Sequence, residues 1–309
     1  MKKAIYITFF TALASLAVSC DSVSAQQNSG IIRDDDTPSA VVVPPVPEKI
    51  NFAGESVPTG NFDTRESLYE ECGVTMYMHS RTLNSLRASK RYFAIIEPIL
   101  AENGIPDDFK YMAMAESSLN PEAYSAARAA GLWQIMSSTA ADNKLEVNDY
   151  VDERYNIEKA TRVACKYIRQ ARERFGSWTM AAASYNLGMA GLAKRVAVQK
   201  TADYYDLWLP AETMRYMFRI ISLKLATENP EAYGFRIDDE DYYLPFVTRD
   251  ITVSGPDIDW VKVARDNGTD YKILRELNPW IREYKHPNKT ARSYTVKVPA
   301  PGMRTAITR

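Results

Sequence analysis

The chain has 309 residues, 46% of them hydrophobic and 11% aromatic, enough to bury the cores of one large domain and a small one. Lys and Arg number 38 against 39 Asp and Glu, so the formal net charge of −1 leaves no global field to draw it onto nucleic acid. The two histidines, His79 and His286, stand far apart and outside any Cys or carboxylate cluster, which argues against a metal. No Gly-rich phosphate loop or nucleophile elbow is present, so no cofactor is expected.

Met1-Lys2-Lys3 is basic and precedes an apolar run from Ala4 to Val18, too short for a permanent membrane span. Residues 1–19 therefore read as an export signal. Its end, Val18-Ser19-Cys20, resembles the lipobox of bacterial lipoproteins, although Ala17 stands where Leu is commoner. That resemblance implies a lipid anchor on Cys20, placing the protein on a membrane of the cell envelope, with the periplasmic face of the outer membrane expected. The alternative is an ordinary signal cut nearby, for instance after Ala25. Residues 20–50, rich in Ser, Gln, Asp, Val and Pro, read as a flexible tether. Cys72 and Cys165 are left either to pair or to sit as buried thiols, and spacing alone does not decide. Nothing in the chain sets its oligomeric state.

From about Leu83 to Thr227 the pattern is helical. One helix is predicted from near Ser85 to Glu102 and another from Pro106, because Gly104 stops the first while Pro106, Asp107 and Asp108 suit a helix start. A third spans Asn156 to Phe175, with Ala160, Ala164, Tyr167, Ile168, Ala171 and Phe175 on one face and Gly176 as its stop. In the next, Trp178 to Asn186, Ala181, Ala182 and Ala183 let a neighbour approach closely and deliver Tyr185 to a shared cleft. The last runs from Ala211 to Thr227. After the acidic run Asp238 to Asp241 the pattern changes to a strand at Ile251 to Val253, helices from Asp257 and Asp270, and a strand at Tyr294 to Val298. That βααβ unit is expected to fold semi-independently from about Thr248.

Glu116 is the residue out of place. Phe109, Met112 and Ala113 form the apolar face of the helix after Pro106, and the same spacing puts Glu116 on it. A carboxyl held against apolar walls is favoured in its neutral form, as a general acid near neutral pH requires. The competing reading is a structural ion pair, with Arg128 as the expected partner.

Glu116-Ser117 with Pro121, then Gly131-Leu132-Trp133-Gln134-Ile135-Met136, then Ser184-Tyr185-Asn186-Leu187-Gly188 resemble three ordered motifs of the soluble-type lytic transglycosylases. Fifteen residues separate Glu116 from Gly131, as the family's pattern requires. Trp133 stands where Met or Phe is frequent, and Leu187 where Ala is. The family shares its fold with goose-type lysozyme, so the resemblance implies a mainly α protein. A lysozyme-like helical catalytic domain with an N-terminal helical extension is expected over 51–237, with a linker and a small βααβ LysM-like module over 238–309.

By the same resemblance the substrate is the peptidoglycan glycan strand and Glu116 is the sole catalytic acid/base, giving 1,6-anhydromuramic acid ends. Ser117, Gly131, Gln134, Met136, Tyr185 and Asn186 are the expected substrate-binding positions, and no metal or cofactor is implied. Trp133 and Met136 read equally well as core. A hydrolysing muramidase and an inactive peptidoglycan-binding lipoprotein are the alternatives. For the module, Leu277-Asn278-Pro279 and Val296-Lys297-Val298-Pro299 carry the likeness, while Gly255-Pro256-Asp257-Ile258 departs from it; glycan binding and a structural cap both stand.

Overall fold

The computed structural model describes residues 41–303; Cys20, the segment 1–19 and the tether up to residue 40 lie outside the described residues. A small pair of strands, β1 (Asn51–Phe52) and β2 (Glu55–Ser56), opens the described chain. Eight helices follow: α1 (Phe62–Tyr77), α2 (His79–Glu102), α3 (Lys110–Ser117), α4 (Ser137–Asp142), α5 (Ile157–Phe175), α6 (Trp178–Leu187), α7 (Met189–Gln199) and α8 (Ala211–Glu228). Helix α2 starts six residues before its predicted beginning, and the segment after Pro106 is a 3-10 turn, Asp107–Phe109, running into α3.

Local chemistry explains the boundaries that matter to the site. The side chain of Asn156 caps α5 by accepting from the Lys159 amide at 3.0 Å, and Gly176 ends that helix at φ +82°. Ser177 caps α6 in the same way at the Met180 amide. Ala160 and Ala164 of α5 and Ala181, Ala182 and Ala183 of α6 are all fully buried, so these two helices meet at small residues. The Tyr167 hydroxyl donates to the Ser184 carbonyl across that contact at 2.7 Å, and its ring meets Tyr185 edge-on. Cys72 and Cys165 are both buried free thiols, in different apolar clusters.

The C-terminal unit contains β3 (Thr248–Val253), β4 (Ile258–Asp259), α9 (Trp260–Asp266), α10 (Tyr271–Leu277), β5 (Lys285–His286) and β6 (Tyr294–Pro299). Strands β3 and β6 pair antiparallel from Thr248↔Pro299 to Val253↔Tyr294, and β4 pairs with β5 as a second small ladder absent from the expected βααβ pattern. Asp259 and Asp270 cap the two helices.

This unit is not separate from the helices before it. The described residues from Val43 onward form one compact body, and the Trp260, Trp280 and Tyr294 core also takes in Ala130, Val151 and Tyr155. The Asp152 amide donates to the Trp280 carbonyl and the Arg282 amide to the Tyr150 carbonyl, both at 2.9 Å. The acidic linker is likewise fastened down. The Tyr243 amide donates to the Arg87 carbonyl at 2.7 Å, Lys90 pairs with Asp239 at 2.7 Å, and Arg91 lies 4.0 Å over the Phe246 ring. The unit expected to fold semi-independently is thus packed onto the helices before it by contacts that join positions far apart in sequence.

Candidate active site

Helix α3 ends one residue after Glu116. Ser118 and Leu119 take consecutive left-handed conformations, φ +55° and +58°, without a glycine, and the Ser118 amide closes the helix on the Met114 carbonyl at 2.8 Å. Four of the eight non-glycine residues with positive φ among the described residues, namely Ser118, Leu119, Arg128 and Gln134, fall between 118 and 134, so backbone strain concentrates on this stretch.

Glu116 is half-buried and its carboxyl is pushed up to about 7. Burial is the main cause, opposed by a hydrogen bond from the Tyr216 hydroxyl and by the nearby Arg219 charge, and assisted by Glu212. Tyr216, on α8, donates to Oε1 of Glu116. Tyr185, on α6, also feels the Glu116 charge but spends its hydroxyl on the Trp133 carbonyl at 2.8 Å. Both phenols are held well above their usual range, chiefly by burial, so each is a neutral hydroxyl. No ion pair joins Arg128 to Glu116 among the described residues; Arg128 is exposed and its carbonyl accepts from Arg154 at 2.8 Å.

The other expected positions fall as follows. Ser117 is buried and donates to the Ala113 carbonyl of its own helix at 3.1 Å, so its hydroxyl is engaged away from the acid. Gln134 donates its amide to the Gly131 carbonyl at 2.9 Å and to that of Ala123 at 3.3 Å, stitching the loop together. Met136 is exposed, at 42%, while Trp133 is fully buried with its indole N–H on the Thr161 hydroxyl, which makes Trp133 a core residue. Asn186 accepts from the Thr213 hydroxyl at 2.7 Å, tying α6 to α8. Gly131 is required by a close approach to protein: a Cβ there would lie 2.3 Å from the Arg154 carbonyl oxygen, at φ +77°.

Four side chains escaped the sequence reading. Tyr216 and Arg219 follow Thr213 at spacings of three along α8, a polar ridge on a face that otherwise buries Met217, Ile220 and Ile221, and that ridge was the available signal. Glu71 of α1, 1% exposed, pairs with Arg215 at 2.5 Å and lies 3.8 Å from Arg219, so α1 anchors the helix that bears Tyr216. Arg154, 5% exposed, forms a bidentate pair with Asp152 and also reaches Ser137 at 3.1 Å, holding the 128–137 loop against the segment that meets the C-terminal unit. The carboxylates near Glu116 in sequence are engaged elsewhere: Glu122 with Arg275, Asp107 with Lys110 and Asp108 with Lys224. No group of three side chains able to hold a metal occurs among the described residues.

Comparison with known proteins matches both parts of this arrangement. Residues 93–207 match the transglycosylase SLT domain, and residues 249–302 match the soluble lytic transglycosylase C-terminal LysM-like domain. The chain thus carries a transglycosylase SLT domain followed by a LysM-like C-terminal domain. It is homologous to the membrane-bound lytic murein transglycosylase D of Escherichia coli (strain K12), 26% identical over 239 residues, which are 75% of this chain and 51% of that relative. The chain therefore spans about half the length of that curated relative. Among solved structures, the 70 kDa soluble lytic transglycosylase of Escherichia coli aligns over 63% of this chain and 34% of its own, at 16% identity and a TM-score of 0.41. The complex of a 70-kDa soluble lytic transglycosylase with bulgecin A aligns at 17% identity and a TM-score of 0.40, over 62% of this chain and 32% of that one.

Proposed function

We propose that the protein cleaves the β-1,4 bond between N-acetylmuramic acid and N-acetylglucosamine in peptidoglycan and closes the muramic acid into a 1,6-anhydro ring. The observation that carries this is the state of Glu116: a half-buried carboxyl raised to about 7 that accepts from the neutral hydroxyl of Tyr216. At neutral pH a large fraction of Glu116 is protonated and able to give its proton to the glycosidic oxygen. Tyr216 occupies Oε1, which leaves Oε2 to carry that proton. The carboxylate left behind then takes the proton of the muramic acid 6-hydroxyl as that oxygen attacks C1. One carboxyl serves both transfers, and no water enters the product.

A hydrolysing muramidase is the second reading, favoured by one observation: Glu212 is close enough for its charge to act on Glu116. A glycosidase working with water or a covalent intermediate needs a second carboxylate. Glu212 is held below its usual range by its pairing with Arg219 at 2.8 Å, so its charge is already compensated.

In this reading residues 51–237 form the catalytic domain and 238–309 the linker and module. Gln134, Met136, Tyr185 and Asn186, with the Ser117 and Gly131 backbone, shape the saccharide cleft, and Cys20 carries a lipid that keeps the enzyme on the envelope membrane. No helix among the described residues is long and apolar enough to cross a membrane. The deciding experiment is digestion of purified peptidoglycan with mass spectrometry of the product ends. Anhydro ends, one water lighter than hydrolysis products, support the transglycosylase; reducing muramic acid ends establish the muramidase.

A further inference from the structure

Glu71 belongs to α1, ahead of residues 93–207 that match the SLT domain, yet its side chain is buried against α8. Its Oε1 accepts from Nε of Arg215 at 2.5 Å. Its Oε2 is buried without a hydrogen bond among the described residues and lies 3.8 Å from Nε of Arg219. We propose that Glu71 is a positioning residue of the reaction: through Oε2 it holds Arg219 off Glu116, so that the acid keeps the Tyr216 hydroxyl, and no cation, as its partner. The proposal rests on the reading of Glu116 as the catalytic acid and is the same for a transglycosylase and a muramidase.

The geometry puts Arg219 between three carboxyls. Its Nη1 donates to Glu212 at 2.8 Å, its Nε faces Glu71, and it lines a hollow of about 50 Å³ with Ala115 and Ser118, which flank Glu116. No ion pair joins Arg219 to Glu116 among the described residues, although its charge reaches the acid. A guanidinium released from its anions would be drawn to that carboxyl, and a direct pair would favour the ionised form over the protonated one that catalysis starts from.

The two anions that hold Arg219 are not equivalent. The Glu212 side chain is 60% exposed, so water and salt screen it. Glu71 is fixed by Arg215 within a seam that also joins the hydroxyls of Thr75 and Ser222 at 2.7 Å, and its charge acts undiluted. The remaining titratable and charged groups around the acid are Tyr185 of α6, engaged with the Trp133 carbonyl, and Arg81 of α2, whose Nε donates to the Ser118 hydroxyl at 2.7 Å. Neither is an anion, so neither can take over the hold on Arg219. Helix α1, which lies outside the matched domain, is by this account part of the catalytic apparatus.

The test is the pH profile of kcat/KM on a soluble muramic-acid-containing glycan, measured with the full-length protein and with Glu71→Gln, Thr75→Val, Arg219→Met and the double variant Glu71→Gln with Arg219→Met. Glutamine keeps the shape of Glu71 and removes the charge, and Arg215, itself half-exposed, can turn to water. With Arg219 released toward Glu116, the alkaline limb should move to lower pH by about one unit, so kcat/KM falls about tenfold at pH 8 and less than about twofold at pH 5.5. Thr75→Val weakens the same seam without touching a charge; it should lower Tm and leave the limb in place. In the Arg219→Met background, Glu71→Gln should move the limb no further. A loss in Glu71→Gln that is equal at both pH values overturns the proposal, because Glu71 would then act through packing, and so does a shift that persists in the Arg219→Met background. Should Glu71→Gln not fold, Glu71→Asp, which retracts the same charge, is expected to move the limb in the same direction, and an unmoved limb there overturns the proposal equally. Turnover that survives Glu116→Gln would sink the reading of the acid itself, an outcome separate from every result of the Glu71 series.

Discussion

The hydroxyl of Tyr216 donates to Oε1 of Glu116 from a helix 100 residues further along the chain. The contact sets the acid in two ways. It orients the carboxyl, and by stabilising the charged form it offsets part of the upward shift that burial imposes. Tyr216→Phe removes the hydroxyl and keeps the ring. The Glu116 pKa should then rise further above 7, so the alkaline limb of the kcat/KM profile should move to higher pH, by about one unit, while kcat falls about tenfold as the carboxyl loses its orientation. A profile measured between pH 5 and 9 checks both; an unmoved limb would mean that Tyr216 only packs.

Glu116→Gln should abolish turnover and stabilise the fold. The folded-state pKa of Glu116 lies above its ordinary value, so between about 4.5 and about 7 the native state binds more protons than the unfolded one. Stability contributed by this group therefore falls as pH rises through that window and stays low above it. Glutamine removes the penalty, which is up to about 3 kcal/mol for a shift of this size. Thermal unfolding at pH 8 should show a higher Tm for Glu116→Gln than for the unsubstituted protein, and the difference should shrink at pH 5.

Glu212→Gln separates the two chemistries. If the 6-hydroxyl is the nucleophile, loss of this carboxylate should cost less than about tenfold in kcat, because Glu212 acts only through its charge and its pairing with Arg219. If Glu212 is a base or nucleophile of a hydrolytic reaction, turnover should fall by several orders of magnitude. Single-turnover digestion of peptidoglycan distinguishes these outcomes.

Truncation before Thr248 should damage the catalytic part and not merely loosen cell-wall attachment. Removing β3 through β6 uncovers Ala130, Val151 and Tyr155 and strips Glu153 of Arg292, its partner at 3.2 Å. Since Arg154 in the same segment holds the 128–137 loop, cleavage of even short soluble glycans should decline together with Tm. Activity on short glycans equal to that of the full chain would show that the seam carries no load.

Gly131→Ala should fail for a reason distinct from chemistry. The added methyl would meet the Arg154 carbonyl at 2.3 Å, where neither group is a flexible side chain, and φ +77° is itself unfavourable for alanine. A loss of several kcal/mol is expected. Denaturant unfolding measures it directly; a change under about 1 kcal/mol would show that the backbone there yields.

What the sequence determined was local or carried by ordered motifs. The helical register of Phe109, Met112 and Ala113 put a carboxyl at Glu116 on an apolar face, Asn156 and Asp270 marked helix starts that their side chains cap, and the spaced motifs identified the domain type, whereas the helix expected from Asp257 starts at Trp260 behind the cap Asp259. These properties depend on neighbours within one or two turns, so a linear pattern contains them. The partners of Glu116 were decided by tertiary structure alone. Arg128 was the partner that the competing ion-pair reading offered, yet Arg219 and Tyr216 of α8 face the acid because Glu71 of α1 and Thr213 hold that helix in place. The same holds for Arg154, for the docking of Trp280 against Asp152, and for the strap formed by Tyr243. Each depends on which surfaces meet once helices pack, and packing is selected by shape and burial over the whole core, a quantity no local pattern of residues encodes.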